Sequence, residues 1–402
     1  MAGDILTSII YIILAMVILA ELLVFISVKL AAARFQWLLT SKSKRPNLSK
    51  KVVEHFFNKS FDYELGWAPK PGSSGEDITE LGVKTYHIDK KGRRFSPAFN
   101  DIPSKVAVFG DSFSFGRLVN DDETWPYVLS KLVKSYVPNY SVGGYGLDQA
   151  LLRLKREIKV LDSEIILMCV VPETIARIHS YWRHYFEYGN TLAFKPRFAI
   201  ENGHLKFYEL FIKDKESFAK IEENEEFIQR VDHFYKCKFL KNILCFPFVY
   251  RLWKTRGQNF IILKQVVFGL ISGRSERCHK AAFKEVLANN AKYTAEMYKN
   301  HNAKLLFSSL VDEFVALCLK YNKKPVLVVT PQPVDIERLN LGFRDYSNFI
   351  AQLSEKLEVY DLTSLFVGNK DVDEWYIEGE LGPHLSIKGN NEVAKYNFNN
   401  SI

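Results

Sequence analysis

Three apolar runs constrain this chain most: Val106 to Phe109, Ile165 to Val171 and Pro325 to Thr330. Each is too short for an ordinary helix and too uniformly apolar for a strand with one wet face. Each therefore reads as a strand buried on both sides. Between and after them apolar residues recur at helical spacing: Trp125, Val128, Leu129, Leu132 and Val133; then Leu151, Leu154, Ile158 and Leu161; then Leu306, Leu310, Phe314 and Leu317; then Tyr346, Phe349, Ile350 and Leu353. A short strand is expected near Tyr140 to Val142 and a last one over Val359 to Leu362. Strands alternating with helices give a parallel sheet covered on both faces, an α/β fold.

One further segment cannot sit in water. Ile5 to Val28 is almost wholly apolar with a single charge, Glu21, and matches the roughly 20 residues a helix needs to cross a bilayer. A cleaved leader would show a basic start and a small-residue cleavage site. Here the basic residues Lys29, Arg34, Lys42, Lys44, Arg45, Lys50 and Lys51 follow the segment instead. The expectation is a retained single-span anchor, with the body of the protein on the cytoplasmic side by the distribution of positive charge. Glu21, near the end of the span, can reach the interface.

The formal net charge of +8 is explained largely by that local cluster, so nucleic acid is not an expected partner. The five cysteines are scattered without CxxC spacing and suggest neither a zinc site nor a disulfide framework. No P-loop, GxGxxG or HExxH appears, and no cofactor or metal is expected. With 402 residues, 47% of them hydrophobic, the chain can bury a sizeable core. It divides into an anchor over 1–30, a basic linker over 31–60, a turn-rich lead-in over 61–100 and a main domain over 101–402. The βα rhythm lapses at about 178–302, which reads as a mostly helical, aromatic-rich insertion with some irregular hairpin.

Chemistry concentrates where the first strand ends. Val106 to Phe109 breaks at Gly110, and Asp111-Ser112-Phe113 follow in a turn. A serine there exposes its hydroxyl at the rim of the sheet, where α/β proteins build their sites. A serine needs a base and oxyanion donors to act as a nucleophile. Among the nine histidines the best base is His384, in a loop after the last strand that reads Gly382-Pro383-His384-Leu385-Ser386-Ile387-Lys388-Gly389-Asn390. Gly143-Gly144-Tyr145-Gly146 breaks the second predicted strand, and Gly144 has no Cβ to keep a backbone donor from a substrate carbonyl.

Gly110-Asp111-Ser112-Phe113, Asn139-Tyr140-Ser141-Val142-Gly143-Gly144-Tyr145-Gly146 and the His384 loop occur in an order that resembles the GDSL/SGNH hydrolase superfamily over roughly residues 100 to 400. The match is nearer to membrane-linked members found with surface-polysaccharide genes. The resemblance implies a three-layer α/β/α sandwich of SGNH, flavodoxin-like type. It implies Ser112 as nucleophile, His384 as base, and the N–H groups of Ser112 and Gly144 as oxyanion donors. It also implies an ester substrate, an acylated carbohydrate by analogy; the anchor and the aromatic insertion carry a third reading, a lipid-handling esterase. Two positions depart from the family. Thr174 stands where an asparagine supplies a third oxyanion donor, and Leu381 and Gly382 stand where an aspartate precedes the histidine. Glu380 or Glu378 could orient His384 from a longer arm, or a backbone carbonyl could do so and leave a Ser-His dyad. Asp111 reads as an organiser of the turn. The expected function is a serine esterase or acyltransferase; the alternative is a weakened SGNH-like domain acting as a membrane-tethered binding or assembly factor.

Overall fold

A computed structural model describes residues 2–32, 48–99, 101–369, 372–379 and 382–401. Arg34, Lys42, Lys44 and Arg45 of the basic cluster lie outside the described residues, and so does Glu380. The chain forms two compact units. The larger comprises Lys50–Tyr181, Phe194–Asn224 and Tyr293–Ile402; the smaller comprises the N-terminal helix, Trp182–Ala193 and Glu225–Lys292. The stretch expected as one insertion is thus shared between them.

The larger unit is built on a parallel sheet of four strands in the order Glu358–Asp361, Lys324–Val329, Ile165–Val170, Val106–Gly110. Val106 pairs with Ile165, and Ile165 with Lys324, so the carboxyl ends of the strands share one rim. The apolar runs are strands because both faces are dry. Val106, Val108, Leu167, Val326 and Val328 pack with Trp125 and Leu129 of helix Trp125–Val133 and with Val393 and Ala394 of helix Ile387–Ser401. The alternate residues Ala107, Phe109, Ile166, Met168, Leu327 and Val329 are buried as well. Helices Leu147–Glu157 and His301–Lys320 lie against the sheet, with Leu151, Leu154, Phe307, Leu310 and Phe314 buried. The α/β architecture with a parallel sheet is therefore present.

Several local expectations change. Tyr140 to Val142 is no strand: a single bridge joins Asn139 to Val108, although Tyr140 and Val142 donate backbone hydrogen bonds to Val108 and Gly110. The end of the expected linker is a helix, Lys50–Lys59. Its apolar positions Val52, Val53, Phe56 and Phe57 fall among lysines that dominate the local composition. The turn-rich lead-in contains an antiparallel hairpin, Ser74–Thr79 with Gly82–His87. The expected irregular hairpin is Arg197–Glu201 with His204–Tyr208.

In the smaller unit, the N-terminal helix Ala2–Ala32 meets helices Phe248–Lys254 and Ile261–Ser272. Val28 and Ala31 are fully buried in one cluster with Leu252, Ile262, Val266 and Val286.

Candidate active site

The nucleophile turn is held by Asp111. Its side chain caps the short helix Ser112–Phe115 by accepting from the Phe113 N–H at 2.9 Å, while its other oxygen accepts from the Val171 N–H at 3.0 Å. One carboxylate thereby ties the end of the first strand to the end of the next. Burial raises the Asp111 pKa, opposed by the Arg177 guanidinium 3.7 Å away. With both oxygens used on backbone donors, Asp111 organises the turn. Gly110 is required by space: a Cβ there would fall 2.4 Å from the Cys169 carbonyl oxygen of the adjacent strand.

Ser112 and His384 come together across 272 residues of chain, with Oγ 2.8 Å from Nε2. His384 Nδ1 lies 3.1 Å from the Gly382 carbonyl oxygen. A carbonyl can only accept, so neutral His384 carries its proton on Nδ1 and offers the Nε2 lone pair to the Ser112 hydroxyl. This tautomer is assigned from the hydrogen-bond geometry. Gly382 sits at φ +86°, a left-handed backbone that a side chain would strain, and this turn aims its carbonyl back at the ring. Among the described residues the group on Nδ1 is this carbonyl. Glu378 is exposed, and its backbone oxygen receives the Glu80 N–H at 3.4 Å. Phe113 lies against the imidazole at 4.9 Å between ring centres. Burial lowers the His384 pKa to about 3, and the Arg117 and Arg177 charges act in the same direction.

Gly144 follows the edge segment beside the first strand, with φ +79°. Its loop is pinned by Trp67, whose indole N–H donates to the Gly143 carbonyl at 2.9 Å, and by Tyr145, whose hydroxyl donates to the Trp67 carbonyl at 2.5 Å. Thr174 begins the short helix Thr174–Arg177 after the second sheet strand. Its Oγ1 accepts from the Leu147 N–H at 2.9 Å, satisfying the start of helix Leu147–Glu157, which has no side-chain cap of its own. Three lone-pair and proton positions belong to a hydroxyl, so Thr174 keeps its O–H to donate. Arg177 joins these two loops by donating to the Tyr145 carbonyl at 3.1 Å and pairing with Glu173 at 2.7 Å.

Other residues that position this site carry no motif. Asp77 in the lead-in hairpin accepts from the Leu118 N–H at 2.9 Å and pairs with Arg117 at 2.5 Å, which holds the chain leaving the nucleophile turn. Thr79 of the same strand bridges Gly379, in the loop that leads to His384. Buried Arg94 donates to the Gly116 and Val119 carbonyls and pairs with Asp121 at 2.8 Å. The Asn139 amide reaches the Ser114 carbonyl at 2.7 Å. Among the described residues no group of three or more His, Cys, Asp or Glu could hold a metal ion.

No family model matches the chain, and no curated protein matches it. Among solved structures, one from Desulfitobacterium hafniense DCB-2, described as a lipolytic protein of the G-D-S-L family, is similar over 74% of this chain and 98% of its own. The identity is 12% and the TM-score 0.31, a likeness too distant to add to the geometry.

Proposed function

We propose that the larger unit is a serine esterase or O-acyltransferase working through a Ser112–His384 dyad. The observation that carries this reading is the 2.8 Å contact between Ser112 Oγ and His384 Nε2, with Nδ1 turned onto a carbonyl. In the reaction, Ser112 Oγ bonds to the ester carbonyl carbon while its proton passes to His384 Nε2. The backbone N–H groups of Ser112 and Gly144 and the Thr174 hydroxyl are assigned to the resulting oxyanion. Collapse breaks the bond to the alcohol, which leaves with the proton from Nε2, and the acyl group stays on Ser112. Water, deprotonated by His384, then releases the acid and makes the enzyme a hydrolase. A sugar hydroxyl in place of water makes it a transferase acting on carbohydrate.

We further propose that Ala2–Ala32 spans a membrane. Within Ile5–Ala32 an 18-residue window has a mean hydropathy of 3.0. The carboxyl end of the helix supplies Val28 and Ala31 to the core of the smaller unit, so removing the helix as a leader would open that core. The charge distribution assigns the larger unit to the cytoplasmic side.

The test is a fluorophosphonate probe, which reacts only with an activated serine. Labelling of the wild type and none of Ser112→Ala is expected. A second reading, a catalytically silent binding or assembly factor, is favoured by a base whose Nδ1 meets a backbone carbonyl, with no carboxylate on it among the described residues. No labelling together with no turnover of p-nitrophenyl acetate would establish that reading instead.

A further inference from the structure

The smaller unit carries an apolar surface beyond the N-terminal helix. Phe246, Tyr250 and Trp253 are 75%, 52% and 61% exposed, and Phe268 and Ile271 on the neighbouring helix are 56% and 81% exposed. Helix Ile261–Ser272 already buries Ile262, Leu263, Val266 and Gly269 on one side, yet Phe268 and Ile271 face outward with Lys264 beside them. Large apolar side chains this exposed, grouped in one unit, mark an interaction surface.

The place where these helices meet the N-terminal helix indicates what covers the patch. Residues Ile5 to Leu19 are exposed throughout. Contact begins at Glu21, whose carboxylate accepts the N–H groups of Phe248 at 2.6 Å and Val249 at 3.0 Å. It continues through Phe25, 5.5 Å from the Phe248 ring, and then through Val28 and Ala31. Glu21 lies about 24 Å along the helix from Ile5 at 1.5 Å per residue, close to the far edge of a hydrocarbon core about 30 Å thick. The insertion helices therefore join the span where hydrocarbon gives way to headgroups. Tyr, Trp and Phe with Arg251 and Lys254 alongside is the composition of that layer. The two backbone N–H groups give that carboxylate hydrogen-bond donors at this depth.

We infer that helices Phe248–Lys254 and Ile261–Ser272 are a second membrane contact, seated in the interfacial layer of a phospholipid bilayer beside the N-terminal span. The inference rests on the reading that Ala2–Ala32 crosses the membrane. The full chain is reconstituted into phosphatidylcholine vesicles, and flotation is measured first. The Trp253 emission is then taken as wild type minus Trp253→Phe, in vesicles with and without phosphatidylcholine brominated on its acyl chains. The difference emission should fall roughly twofold with the brominated lipid and be untouched by aqueous iodide. Phe268→Trp should gain an emission component that the brominated lipid quenches. If the chain floats but neither residue responds to brominated lipid, the second contact is overturned and the anchor stands. This holds whether iodide reaches the residues or a second protein copy shields them. If the chain does not float, both fall.

Discussion

His384 faces an oxygen that can accept but cannot carry charge, and this sets both the strength and the limit of the dyad. The Gly382 carbonyl fixes the tautomer and the ring. It offers less than a carboxylate to the imidazolium that forms when Ser112 gives up its proton. With its pKa lowered to about 3 by burial, against an ordinary 6.5, His384 stays unprotonated through the mildly acidic range. We expect kcat/KM for p-nitrophenyl acetate to show no acid limb centred near pH 6.5. An acid limb centred there would contradict a desolvated imidazole. The same shift bears on stability. Between about pH 3 and 6.5 the unfolded chain binds a proton that the folded one refuses, so stability rises with pH across that window and is fully present above it. His184, lowered by burial to about 4, acts in the same sense. Urea midpoints at about pH 7.5 and pH 5 should therefore differ, with the acid value lower. Asp111→Asn keeps an acceptor for one of its two backbone donors and turns an N–H toward the other. A loss of about 1–3 kcal/mol in urea unfolding is expected.

At the scale of elements, the site is held by a hairpin that has no catalytic signature. Asp77→Ala frees the Leu118 N–H and leaves Arg117, which is 19% exposed, without its partner near His384. A loss of about 2–3 kcal/mol is expected, below that for a wholly buried pair because water still reaches the guanidinium. Gly110→Ala forces a methyl into the neighbouring strand's backbone and should cost about 1–3 kcal/mol, read from the same unfolding curves. Ser112 and His384 are legible because each lies in a local turn whose glycines and flanking apolar runs define it. The group that orients His384 is not, since a carbonyl belongs to every residue and only the fold aims it. Trp67, Asp77 and Arg94 reach partners 25 to 76 residues away. Such contacts leave no period or spacing to read. The helix Lys50–Lys59 was hidden for a related reason: in a basic stretch, charge composition obscured an apolar face.

For the whole molecule, the central matter is whether a chain with a sound nucleophile turn, a carbonyl-oriented base and a threonine in the oxyanion loop performs acyl transfer. The N-terminal helix belongs to the folded smaller unit, so the chain that keeps this helix is the form to assay. Ser112→Ala and His384→Ala should each lower turnover by at least roughly 10³-fold, and the double variant should lose little more, because the two act as one device. The most direct measurement is fluorophosphonate labelling of the full-length protein in membranes, compared among wild type, Ser112→Ala and His384→Ala. Labelling of wild type alone is the expected result. Equal labelling of wild type and Ser112→Ala, or none in any of the three, would contradict Ser112 as an activated nucleophile.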